Sequence, residues 1–134
     1  MRKVRLVLAA ASAGALAAVL ALPGTATAAP TEWGACASGN VCFYTGDNGT
    51  GQKCSWSVAD PDWTQGDIKC SWAETKNVQS VWNRGTSKSY TGVAYYRWAD
   101  YNTRMGCTPQ GKRGNLTGNG YKLKSHRWVD GNCG

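Results

Sequence analysis

The sequence predicts an all-β domain in which two Greek keys pack against each other as a sandwich. Short runs rich in Val, Tyr, Trp and Ser alternate with clusters of Gly, Asn and Asp, as is typical of short strands joined by tight turns. Six cysteines in a small chain are typical of a domain held by disulfides. Two halves of the chain share a spacing of aromatic, Gly and Ser residues, which indicates an internal repeat.

Five segments predict strands because apolar residues in them are continuous or alternate with polar ones, and turn residues bound each segment. Helix signals are nearly absent, since Gly or Pro interrupts the chain at short intervals. The stretch Asp60-Pro61-Asp62 opens a predicted loop over 60–67, because Asp and Pro favour turn dihedrals. The predicted strands, in order, are 41–44, 52–58, 78–82, 92–98 and 121–129.

The first 29 residues predict a secretory signal peptide. Three basic residues precede a short apolar run over 6–22, and small residues follow, so we predict cleavage near Ala28 or Ala29. The alternative, a membrane anchor, needs a longer apolar run than this one. The mature chain, 30–134, is then a single secreted domain, for which we predict a monomer with no further membrane segment.

An even number of cysteines in a secreted chain predicts three disulfides, and six cysteines allow fifteen pairings among which the sequence alone does not choose. A disulfide closing a loop of the size of 54–70 stabilises by roughly 3 kcal/mol in the chain-entropy model. Proximity along the chain favours Cys36–Cys42 and Cys54–Cys70, which leaves Cys107–Cys133.

The charge is unevenly distributed. The chain has 15 Lys plus Arg against 8 Asp plus Glu; without the three basic residues of the predicted signal peptide, 12 face 8 and the net charge is +4. Residues 30–83 carry −3 and residues 84–134 carry +7. This distribution fits an acidic partner or a charged wall polymer, but a soluble surface with uneven loops explains it more simply. The basic residues are too dispersed for a nucleic-acid patch, so no nucleic-acid partner is predicted.

The residues needed for catalysis do not occur together, so the sequence predicts a protein that is not an enzyme. His126 is the only histidine and lies on a predicted strand, where a packed side chain is a simpler interpretation than a general base. Disulfide-bonded cysteines supply neither a thiolate nucleophile nor zinc ligands. Asp62, paired with Asp60 or Asp67, has the residue type of a glycosidase pair, but turn chemistry explains these carboxylates. We predict no metal and no cofactor.

The repeat resembles the βγ-crystallin motif, in which an aromatic residue is followed five residues later by a second aromatic and two further on by Gly. A Ser in a later strand closes the folded hairpin. One half has Gly in place of the second aromatic, and the other has Thr in place of the Gly. The matching positions are Tyr44, Gly49, Gly51 and Ser80 in the first half, and Tyr96, Tyr101, Thr103 and Ser125 in the second.

Many βγ-crystallins bind calcium through Asn or Asp at two adjacent positions before the closing Ser. Here those positions hold Thr75 and Lys76 in the first half, and Gly120 and Tyr121 in the second. None of these supplies a carboxylate oxygen, and Lys repels a cation. We therefore predict no calcium site.

Three segments resemble the Streptomyces metalloproteinase inhibitor family of secreted bacterial peptidase inhibitors. They are C-x-S-G-x-V-C-x-Y at 36–44, VQSVWNRGTS, and GNLTGNGYKLKSHRWV. The resemblance covers most of 36–129 and implies a βγ-crystallin-type fold and a secreted protease as partner, in particular an extracellular metallopeptidase. It implies inhibition by a rigid disulfide-anchored loop that blocks the cleft. The family's reactive segment is a disulfide-bounded loop, and no motif here matches it.

Two segments are candidates for the inhibitory loop, since a loop held rigid before binding avoids the cost of ordering. One is the Cys54–Cys70 loop around Trp63. The other follows Thr103, is anchored by a cysteine and is stiffened by a proline. Its candidate residues are Arg104, Met105, Gly106, Thr108 and Pro109.

The seven tryptophans support an alternative function, because exposed indoles stack on sugars. A secreted module that binds a cell-wall polymer or another carbohydrate, or a killer-toxin-like antimicrobial protein, has the same composition. We expect Trp56, Trp82 and Trp98 to form the core, since Leu and Ile are scarce. Trp63, in a polar loop, is predicted to be the exposed binding aromatic.

Overall fold

Two antiparallel β-sheets make up the part of the chain that the computed structural model describes, residues 32–133. The predicted signal peptide and its cleavage point lie outside the described residues. No helix within 32–133 is long and apolar enough to cross a membrane. The strands of this range are β1 (Val41–Tyr44), β2 (Lys53–Trp56), β3 (Ser80–Asn83), β4 (Gly92–Trp98), β5 (Asn102–Pro109), β6 (Arg113–Asn115) and β7 (Ser125–Val129).

The two halves of the chain exchange strand partners between the sheets. The four-stranded sheet has the order β2-β1-β3-β6 and the three-stranded sheet the order β5-β4-β7. Strand β6 belongs to the second half but pairs with β3 of the first. In return, Asp60 of the first half forms an antiparallel bridge with His126 on β7. This arrangement confirms the predicted all-β fold of two packed Greek keys.

The predicted strands agree best with the structure where apolar residues are continuous in the sequence. Segments 41–44 and 92–98 coincide with β1 and β4, whereas the predicted strand over 121–129 is regular only from Ser125. Strands β5 and β6 were not predicted. Their segments contain Gly and Pro, which favour turns in the sequence but are tolerated at the edges of sheets.

Both halves contain the folded hairpin that the repeat predicts. In the first, the Ser80 hydroxyl donates to the Gly46 carbonyl at 2.7 Å and accepts from the Gly49 N–H at 2.9 Å. In the second, the Ser125 hydroxyl donates to the Trp98 carbonyl at 2.6 Å and accepts from the Tyr101 N–H at 3.1 Å. Each Ser therefore closes its hairpin by satisfying one carbonyl and one N–H.

The two hairpins adopt the same left-handed backbone with different residues. Gly49 and Gly51 have φ of 70° and 82°, and the equivalent Tyr101 and Thr103 have φ of 61° and 62°. Left-handed conformation suits Gly but is strained for other residues, above all for a β-branched one. The second hairpin is therefore the strained copy.

Replacing Thr103 with Gly is expected to stabilise the domain by roughly 1 kcal/mol, the relieved strain less the added entropy of the unfolded chain. The reciprocal change, Gly51→Ala, is expected to destabilise, because a Cβ there meets the Thr45 hydroxyl at positive φ. Urea unfolding of both variants checks this pair. Equal stability of T103G and the parent would contradict the assignment of strain.

The core between the sheets consists mainly of aromatic residues and Val. The Phe43 ring on β1 lies 5.8 Å from that of Tyr95 on β4, which joins the two sheets. Trp56 and Trp63 stack at 4.7 Å between ring centroids, and both are buried. The prediction for Trp56 is thus confirmed, but the prediction of an exposed Trp63 is wrong. The expectation for Trp98 is also wrong, since it is 50% exposed at the end of β4.

Three disulfides join the two pairs that proximity favours and the pair that remains. Because Cys36–Cys42 and Cys54–Cys70 are each close in sequence, they fix local turns, whereas the third bond ties β5 to the C-terminal segment. All three have ordinary Cα–Cα separations, between 5.4 and 5.9 Å. The bonds are Cys36–Cys42, Cys54–Cys70 and Cys107–Cys133, and no cysteine among residues 32–133 is free.

Candidate functional site

His126 is buried and plays a structural role. The Trp63 indole N–H donates to its Nδ1 at 2.9 Å, so the ring proton is on Nε2, which lies 3.0 Å from the Val58 carbonyl and donates to it. Burial lowers the pKa of His126 to about 4, although the hydrogen bond to the Val58 carbonyl acts to raise it. The imidazole is therefore neutral at physiological pH, with both nitrogens occupied.

The carboxylates of the predicted loop organise that loop. Asp60 accepts from the Trp56 indole at 2.8 Å and from the Asp62 N–H at 2.9 Å, and burial raises its pKa. Asp62 accepts from the hydroxyl and N–H of Thr64 at 2.6 and 3.0 Å. These are turn bonds, as the sequence predicted. Within residues 32–133, no three metal-binding side chains are grouped where an ion could be held.

The segment predicted as an inhibitory loop, Arg104 to Pro109, is strand β5 and not a loop, and its contact with a peptidase stays a prediction. It pairs with β4 over its length, and Gly106 lies so close to the Tyr95 ring that a side chain there would clash. Met105 packs against the core, Thr108 is buried, and Arg104 donates to the Cys133 carbonyl at 2.8 Å. The segment is therefore held along its length and does not project.

The Cys54–Cys70 loop also does not present Trp63. The Trp63 N–H donates to the Lys124 carbonyl at 2.9 Å, and its carbonyl accepts from the Cys70 N–H at 2.7 Å. These bonds fold the loop inward over the core. The loop therefore keeps Trp63 in the core, while its exposed apolar side chains are Val58 and Ile68.

The structure instead brings together a projecting surface at the end of the sandwich where β1 and β4 begin. It consists of the disulfide-bounded turn 37–40 and the loop 85–91 between β3 and β4, and we call it the disulfide-turn end. Most of its residues are exposed. Tyr90 is 41% exposed on the loop. Tyr is among the residue types enriched at protein interfaces.

Backbone bonds join the turn to the start of the loop. The Gly39 N–H donates to the Arg84 carbonyl at 2.7 Å, and the Arg84 N–H donates to the Asn40 carbonyl at 2.8 Å. The Arg84 guanidinium also donates to the Cys36 carbonyl at 2.6 Å. The Cys36–Cys42 disulfide and these bonds therefore fix one side of the surface.

The loop is held at both ends by further bonds. At the start, the Gly85 N–H donates to the Asn83 side-chain oxygen at 2.8 Å, and its carbonyl accepts from the Gln110 amide at 2.6 Å. At the other end, the Thr91 hydroxyl donates to the Gly131 carbonyl at 2.6 Å. Only the middle of the loop extends beyond these anchors.

A cleft of about 160 Å³ lies beside the loop. Tyr90 and Trp128 form its aromatic side, with ring centroids 6.5 Å apart, and Ser57 and Gln110 line it with polar groups. No strong signal for this site is present in the sequence. A run of small polar residues over 85–89 indicates only a connection, and its pairing with a turn 45 residues earlier depends on the fold.

Comparison with known proteins identifies the class. The model of peptidase inhibitor family I36 matches residues 29–108. The chain belongs to this family. The matched region of the I36 member includes both the turn 37–40 and the loop 85–91, and it excludes the last two strands. The partner of a peptidase inhibitor is a peptidase, and the family assignment supports the prediction of a non-enzyme.

A solved structure shows the fold. A chain described as "Evolution of the eye lens beta-gamma-crystallin domain fold" is similar over 74% of this chain and 93% of its own length, with a TM-score of 0.51 and 16% identity. At that identity the likeness concerns the fold alone, and it confirms the predicted βγ-crystallin type. No curated protein matches the chain.

Proposed function

We propose that this I36 member is secreted after removal of residues 1–29 and inhibits an extracellular metallopeptidase. The disulfide-turn end enters the active-site cleft of the enzyme and blocks it. The observation that carries this proposal is the exposed loop 85–91, tied at its start to the disulfide-bounded turn and at its end to the C-terminal segment. The metallopeptidase class rests on the sequence resemblance.

Rigidity supports this surface over the alternatives. A peptidase cleft binds an extended segment, and a loop already ordered pays less conformational entropy on binding. Backbone hydrogen bonds join Gly39 and Asn40 of the turn to Arg84, more than 40 residues later in the sequence. They hold the start of the loop in position before a peptidase binds. The surface also offers Tyr90 as an aromatic contact, while the loop 85–91 contains no carboxylate.

Titration of the oxidised mature domain against secreted peptidases tests the proposal. We expect a stoichiometric loss of activity for a thermolysin-like metallopeptidase and no loss for serine or cysteine peptidases. Inhibition of a serine peptidase alone would refute the metallopeptidase class but keep the family function. Absence of inhibition in every class would refute the proposal.

A further inference from the structure

A cationic groove lies at the opposite end of the sandwich, where β1 and β4 end and β2, β3 and β7 begin. It has a volume of about 640 Å³ and a mainly polar lining. Lys76 and Lys122 line it together with the side-chain amides of Asn77, Gln79 and Asn119. Such a lining suits a hydrated ligand with many hydroxyl groups and negative charge.

A second depression, of about 290 Å³, lies on the other side of Lys122, which lines both. Trp98, Arg97 and Lys124 line this part, together with the Glu74 carboxylate. Trp98 is the most exposed tryptophan among residues 32–133, and the Arg97 guanidinium lies 4.1 Å from its ring centroid. We call the two depressions together the Lys122 groove.

The positive charge of the Lys122 groove is largely uncompensated. Within the described part of the chain the one ion pair joins Lys124 to Glu74, at 3.0 Å. Lys76, Lys122 and Arg97 therefore face the groove without a paired carboxylate. Several like charges around one depression raise the local concentration of anions.

We propose that the Lys122 groove binds an acidic polysaccharide. The exposed Trp98 indole stacks on the apolar face of a sugar ring, the amides bond its hydroxyls, and the lysines pair with its carboxylates. A single-stranded nucleic acid is less suited, because successive bases need several stacking aromatics and the groove has one. This binding does not depend on the proposed inhibition, since the two surfaces lie at opposite ends.

Calorimetric titration of the mature domain with oligogalacturonate, and with a neutral galactan oligomer of equal length, tests the proposal. We expect binding of the acidic oligomer only. Trp98→Ala is expected to weaken it about tenfold, by analogy with the loss of one stacked ring. Lys122→Gln is expected to weaken it about threefold and to reduce its salt dependence, as for an exposed charge pair.

Lys69→Gln is the matched control, because Lys69 is exposed and lines neither depression. It is expected to bind like the parent, and circular dichroism verifies that each variant is folded. The proposal is overturned if the parent does not bind oligogalacturonate, if W98A binds like the parent, or if K69Q weakens binding as much as K122Q. Equally tight binding of an oligodeoxycytidylate of equal charge, with the same dependence on Trp98, would overturn the polysaccharide in favour of nucleic acid.

Discussion

Lowering the pH from 6.5 to 4 is expected to reduce the free energy of unfolding of the mature domain by about 3 kcal/mol through His126 alone. In the unfolded chain the imidazole takes up a proton below about pH 6.5, whereas burial keeps it neutral in the folded state until about pH 4. The unfolded state therefore binds more protons in this window. The stabilisation is fully present above pH 6.5 and is lost as the pH falls.

Urea unfolding, followed by tryptophan fluorescence at several pH values, measures this loss. His126→Gln keeps a donor near the Val58 carbonyl but does not titrate, so its stability should depend less on pH than that of the parent. If this variant fails to fold, the NMR titration of the parent is sufficient. His126 is the only histidine, so a single imidazole signal with a midpoint near pH 6.5 in the folded protein would contradict the prediction.

Replacing Tyr90 with Ala is expected to weaken peptidase inhibition about 30-fold or more, the loss typical of a buried aromatic anchor at an interface. Tyr90 lies on the loop 85–91, at the side of the cleft, and its exposed ring is available for contact. The expected change is in the inhibition constant, with little change in stability, because the side chain contributes little to the core. Inhibition assays at several inhibitor concentrations measure it.

Ile68→Ala is the matched control, since Ile68 is similarly exposed at 44% but does not line the cleft. It should inhibit like the parent. Tyr90→Phe, which keeps the ring, should retain most of the inhibition. If Y90A and I68A inhibit equally well, the disulfide-turn end is not the contact surface, even where the parent inhibits.

The repeat could be predicted because it depends on local spacing. Within each hairpin the aromatic residue and the two left-handed positions lie within seven residues of one another, and the first half has Gly at both left-handed positions, Gly49 and Gly51. The disulfides could be predicted for the same reason, since two of them are short loops. Features determined by a few residues along the chain are visible in the sequence.

Burial in loops could not be predicted in this way. Trp63 is surrounded by Asp, Thr and Gln in the sequence, which indicates an exposed loop, yet its indole finds its partner on His126, 63 residues away. Trp98 ends a buried strand but lies where the chain turns outward. The disulfide-turn end was missed for the same reason, because its two parts meet only through the pairing of Arg84 with the turn 37–40.

The stack of Trp56 on Trp63 gives the folded domain its own optical signal. Their rings are 4.7 Å apart and inclined at 27°, in an apolar interior that fixes their mutual orientation. Two indoles held so closely couple their electronic transitions and produce a paired circular-dichroism band that isolated indoles lack. Loss of that band therefore reports that the packing between the two sheets has opened. Loss of hydrogen bonding between strands is a different event, which this band does not report.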